Sequence, residues 1–260
     1  MASELLLFQV ASVTALVGMT LGWRGVMTRY SGFYDLPTAW SNVFWGILLG
    51  GLYSSQVYNI IIVKDIERQL VSGDSAGFPI VDLILLCLIT SILAHFILRR
   101  NRVRSGSSQT TSGWALGLAI GGMFGMVTIF AVLRLLSGFN LIITVSMLSI
   151  MAPRCEAIIS SYQGQLMLMG RKWGAILRAT MWRCAFVVMF ASVITAPILW
   201  VFIVPVALIA NKSSESWIWN SIPKEGKKQL RKIWARQARE RKMNRIINPK
   251  TKQIALNESE

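Results

Sequence analysis

The chain has 260 residues, of which 53% are hydrophobic and only 15% charged, with a mean hydropathy of +0.51 and a formal net charge of +15. A soluble domain carries about 25% charged residues, and a disordered chain is poor in apolar ones, so both classes are excluded. What remains is a polytopic membrane protein with a basic, water-facing part.

A helix needs about 20 apolar residues to cross a hydrocarbon core of about 30 Å. Leu5–Gly22 is the first such segment and ends at Trp23-Arg24. Glu4 precedes it and no Lys or Arg does, which argues against a cleaved signal. Trp40–Val63 is the second segment, bounded by Lys64-Asp65, and Pro79–Leu98 is the third, closed by Arg99-Arg100. Trp114–Leu136 is the fourth, Phe139–Ala152 is a short fifth run, and Met181–Ala210 is a sixth, too long for a simple crossing. Trp23, Trp40, Trp45, Trp114, Trp182, Trp217 and Trp219 stand at or near these edges, where an amphipathic ring prefers the headgroup region. The expected fold is an all-α, polytopic helical bundle of five to six transmembrane helices over residues 1–210. A basic tail follows over 211–260, with a cytoplasmic C-terminal helix.

Charge orients this domain. Residues 211–260 hold 13 basic and 5 acidic side chains, net +8, and residues 1–210 hold the other 14 and 7, net +7. Arg99, Arg100, Arg102 and Arg104 follow the third segment without an acid, which places that loop inside and the N-terminus outside. Residues 154–180 then lie inside, with Arg154, Arg171, Lys172 and Arg178. A single crossing by the sixth run would export the basic tail. Pro197 and Pro205 offer a break that makes Met181–Ala196 and Ile198–Ala210 a hairpin, because proline removes a backbone donor. A re-entrant fifth run, or an exported tail, are the alternatives.

Gly113, Gly117, Gly121 and Gly125 recur every four residues and form a smooth stripe, which lets another helix approach closely in lipid. Gly46 and Gly50 are a shorter version, and the second and fourth segments are expected to pack together. The partner of the stripe, in the same chain or another, stays open.

Ionisable residues at membrane depth are candidate functional groups. Asp82 and His95 fall near segment ends, Arg134 is placed to snorkel, and Arg154 and Glu156 follow the fifth run, where they can pair. A polar path would need Gln56, Asn59, Asp82, Arg134 and Asn140 to converge on one cavity. Enzyme chemistry is poorly supplied. One histidine excludes HExxH and Cys/His zinc sites, and no GxSxG, Walker A or dinucleotide fingerprint occurs. Cys87, Cys155 and Cys184 read as isolated small apolar residues. No catalytic residue, metal or cofactor is expected.

Gly170–Met181 loosely resembles the cytoplasmic coupling loop of ABC-transporter permeases. It departs from that pattern in having no Glu-Ala-Ala before Gly170 and no proline after Met181. On the residues alone the stretch reads as an interfacial helix, with Trp173, Ile176 and Leu177 in the headgroup boundary and Arg171, Lys172 and Arg178 facing phosphates.

The tail from Lys224 to Ile247 lacks proline, and its apolar stripe is Leu230, Ile233 and Trp234. Lys227, Lys228, Arg231, Lys232, Arg236 and Arg239 cover the rest and suit anionic headgroups, an acidic protein, or nucleic acid and the ribosome. The function expected from these features is a non-enzymatic subunit of a membrane assembly for transport or secretion. A self-contained transporter or channel is the alternative, and a membrane enzyme stands behind both.

Overall fold

Water is absent from the bilayer core, so every backbone donor and acceptor there must be satisfied within the segment, and helices do this. The computed structural model describes residues 4–30, 36–67 and 79–257, and their regular structure is entirely helical. The helices are α1 (Glu4–Arg29), α2 (Leu36–Val57, continued by a π-helical stretch Tyr58–Glu67), α3 (Ile80–Leu98) and α4 (Asn101–Ser105). They continue with α5 (Gln109–Leu135), α6 (Gly138–Leu168), α7 (Lys172–Thr195), α8 (Trp200–Ser221) and α9 (Lys224–Asn257). The chain forms two compact units, Met1–Ser221 and Ile222–Glu260, so the sequence division at 210/211 falls inside α8.

Seven helices among the described residues are long and apolar enough to span a membrane, against the five to six expected. The extra span comes from the sixth apolar run. A 3-10 turn at Pro197–Leu199 divides it into α7 and α8, the break expected of Pro197. The fifth run is also corrected. It does not stop at Ala152 but continues through Pro153 as the 31-residue α6. Residues 154–168 are therefore helix packed in the bundle rather than an aqueous loop, and Lys172–Met181 opens α7 rather than forming a separate interfacial or coupling helix. Trp114 lies fully buried in the second turn of α5, its indole N–H donating to the Gly22 carbonyl at 3.3 Å.

α5 is the hub. Buried residues make up 72% of its apolar window, against 22% for α1 and 17% for α8. Glycine makes this possible. A Cβ on Gly113, Gly117 or Gly121 would run into the α6 backbone at Ser160, Glu156–Ala157 or Ala152–Pro153, while Gly125 has ordinary contact room. The stripe thus faces α6 of the same chain. On the other side, Gly46 and Gly50 of α2 rest on Leu116, Ala119 and Ile120 of α5. Such backbone-to-backbone contact replaces the hydrophobic drive that lipid does not supply. Pro153 cannot donate to Ser149, and Gly18 of α1 brings its backbone onto that freed carbonyl.

Gly117→Val should destabilise the protein by about 1–3 kcal/mol or more through overpacking, whereas Gly125→Ala should be close to neutral. Thermal unfolding of the two variants in one detergent checks the contrast; equal midpoints would show that the stripe is not tightly closed.

Candidate functional site

An arginine inside a membrane bundle has five N–H donors and no way to shed its charge, so its surroundings must supply acceptors. Arg183 sits near the middle of α7 and is 0% exposed, as is Glu156 of α6. Its Nε donates to Glu156 Oε2 at 3.1 Å. Nη1 donates to Ser91 Oγ of α3 at 2.7 Å and to Gln163 Oε1 at 3.4 Å, and Nη2 to Ser160 Oγ at 2.8 Å. Gln163 in turn donates through Nε2 to the Ser91 carbonyl at 2.8 Å. Three helices are thereby tied at one point.

Local sequence explains the convergence. Glu156, Ser160 and Gln163 are spaced four and three apart, so they share one face of α6. Ser91 is two-thirds of the way along α3, and its hydroxyl also reaches the Cys87 carbonyl at 2.8 Å. Cys87, Cys155 and Cys184 are free thiols, Cys87 buried and the other two half-buried. Glu156 Oε1 has no hydrogen-bond partner among the described residues. An aromatic train adjoins the cluster: Tyr53 lies 6.1 Å from Phe124, Phe124 5.0 Å from Phe186, Phe186 4.5 Å from Phe190, and Phe190 5.6 Å from Trp200. The pair is therefore fully enclosed by side chains.

The sequence expectation paired Glu156 with Arg154 outside the membrane and found no central ionisable group. The structure corrects this, since Glu156 is buried at mid-bundle and Arg183 neutralises it. Spacing along α6, and a lone cation inside the sixth apolar run, were the available signals.

A cavity of about 320 Å³ lies beside this centre, between α6, α7 and α8. Cys155, Ile159, Phe186, Met189, Val206 and Ala207 line its apolar part, and Tyr162, Trp182 and Trp217 also border it. Tyr162 and Trp217 pack with centroids 4.8 Å apart and planes tilted by 42°, and Arg178 Nη1 donates to the Tyr162 hydroxyl at 3.0 Å. Neighbours of Glu156 and Arg183 in sequence thus shape the cavity wall, so the ion pair sets the register of α6 against α7 there.

Among the described residues, none of the five polar residues considered for a path lines the cavity between α6, α7 and α8. Gln56, Asn59, Asp82, Arg134 and Asn140 are all exposed. They stand at one end of the bundle, where α2 and α5 finish and α3 and α6 begin. Arg134 there donates to the Tyr58 hydroxyl at 3.4 Å and lies 5.9 Å from the Phe130 ring. On α9, Lys228, Arg231, Lys232, Arg236 and Arg239 are exposed, and Lys227 and Trp234 are half-buried. Lys224, Lys227, Lys228, Arg231 and Lys232 line one cleft around Ala235, and Arg236 pairs with Glu240 at 3.0 Å.

Removing one partner of a buried pair strands the other charge. Arg183→Met should cost about 3–5 kcal/mol, and the double change Glu156→Leu, Arg183→Met should recover most or all of it. Thermal melts of the three proteins check this, and a double variant no better than Arg183→Met would contradict it.

Comparison of the chain with protein-family models, curated proteins and solved structures gives no match in any of the three.

Proposed function

We propose that this multi-pass membrane protein takes a lipid chain sideways from the bilayer into the cavity between α6, α7 and α8, and that it binds the chain without transforming it. The single observation carrying this reading is the cavity. Its volume of about 320 Å³ falls in the range of ligand sites, about 300–1,000 Å³, and its lining is apolar and aromatic. The α8 wall begins at the Pro197 break, and only 17% of its apolar window is buried, so it supplies a wall able to shift.

Orientation follows from the same helices. With seven crossings, the ends of α1, α3, α6 and α8 share one side, and the ion pair Arg29–Glu215 at 3.1 Å joins two of those ends. Arg99, Arg100, Arg102, Arg104, Arg171 and Lys172 also fall there. The positive-inside tendency makes that side cytoplasmic and puts the N-terminus opposite. The tail following α8 then meets the inner leaflet, where each basic residue near anionic lipid contributes about 1 kcal/mol.

A second reading, a subunit of a larger assembly, draws on α1 and α8, which leave most of their apolar surface uncovered. Co-purification of a stoichiometric partner in mild detergent would favour it.

Two experiments test the main reading. A phospholipid with a diazirine in its acyl chain should crosslink to peptides of α6 and α8 lining the cavity. Ala207→Trp, which fills the space, should lower that labelling several-fold; unchanged labelling would overturn the reading. For orientation, a Ser259→Cys variant should resist an impermeant maleimide added outside intact cells and react after lysis. Efficient labelling before lysis would reject a cytoplasmic tail.

A further inference from the structure

We infer that the lipid held in this cavity is anionic, with Arg178 as the headgroup-binding residue. The inference rests on the lateral-binding reading above and adds the chemical class of ligand. The cavity is not uniform along its length. Phe186, Met189, Val206 and Ala207 form an apolar stretch, whereas Tyr162 and Trp217 lie further along α6 and α8. Arg178 stands two turns before Phe186 on α7, at that same end, and is exposed. Its hydrogen bond to the Tyr162 hydroxyl, 3.0 Å long, fixes the guanidinium beside a residue that lines the cavity.

Two observations therefore coincide: an apolar slot at membrane depth and a cation anchored at its end. An amphiphile matches both, its chain in the slot and its negative group on the guanidinium. The Tyr162 contact uses one Nη1 donor of five guanidinium N–H groups, which leaves donors for a phosphate oxygen. Aromatic rings at that level are the usual neighbours of a headgroup. Electroneutral lipids fit the slot equally well but pair less favourably with the cation. The Arg183 guanidinium does not compete for this role, since it is enclosed and already bound to Glu156, Ser91, Ser160 and Gln163.

The test uses the full-length protein in nanodiscs and two probes with identical diazirine-bearing chains, phosphatidylglycerol and phosphatidylcholine. Crosslinks are mapped by mass spectrometry to cavity peptides of α6 and α8, and labelling of α1 peptides reports bulk enrichment of anionic lipid near basic surfaces. Relative to α1, the cavity peptides of the wild type should take up phosphatidylglycerol several-fold more than phosphatidylcholine. Arg178→Gln should erase that preference while retaining phosphatidylcholine labelling, and Arg178→Lys should keep most of it. Equal uptake of both probes by the wild-type cavity would overturn the anionic assignment and leave lateral binding standing. Labelling of the cavity by neither probe would overturn both. A preference that survives Arg178→Gln would place the anion elsewhere and refute the role of Arg178.

Discussion

A charge carried into hydrocarbon must meet its counter-charge inside the bundle, because no water is there to solvate it. On a lone helix such a side chain costs about 2.5–3.5 kcal/mol or more. Glu156 and Arg183 remove that cost from each other, and the hydroxyls of Ser91 and Ser160 and the Gln163 amide accept three more of the five guanidinium N–H groups. The net stability from such a pair is small, since desolvation offsets attraction. Its larger effect is selective. Any rotation or slip of α3, α6 or α7 leaves a buried charge without acceptors, so the competing registers of these helices are penalised heavily. The cavity beside the pair inherits its shape from that register.

Close packing of α5 against the same residues of α6 works with the ion pair. The glycines of α5 let the α6 backbone approach until no lipid or side chain fits between them. Dispersion is maximal at that distance, and the same contact fixes the height of Glu156 relative to α5. Polar locking and steric closure at the same residues, Glu156 and Ser160, leave α6 a single position. Helices α1 and α8, which have neither device along most of their length, expose most of their apolar surface. The bundle is therefore stiff at α5, α6 and α7 and softer at its margin, which is where the cavity has its α8 wall.

The spans α1, α3 and α5 were readable because each is an apolar run ended by arginine or loop residues. The break at Pro197 was readable because proline cannot continue the hydrogen-bond ladder. α6 was not, for a physical reason. Its second half, with Pro153, Arg154, Glu156, Ser160, Ser161, Gln163 and Gln165, has the composition of an aqueous loop. Glu156, Ser160 and Gln163 tolerate burial because partners on other helices satisfy them, and hydropathy counts residues one segment at a time. Pairing across helices is invisible to it. Gln56, Asn59, Asp82, Arg134 and Asn140 lie within apolar runs and are exposed at one end of the bundle. Cavities are harder still, as they arise from the mismatch between three surfaces and have no signature in any one of them.

The turn between α6 and α7 spans only Met169–Arg171, with Gly170 at φ +77°, a conformation glycine adopts without strain. This short reversal bears on how the protein enters the membrane during synthesis. α6 emerges from the ribosome carrying Glu156 with no cation yet available, and Arg183 follows 27 residues later on the next segment. Neither segment is comfortable alone in lipid, while the two together present a neutral, self-satisfied pair. The tight turn makes them a helical hairpin from the moment both are made, so they partition into the bilayer as one unit. Insertion of this half of the protein is then cooperative, and the glycine face of α5 is already in place to receive it.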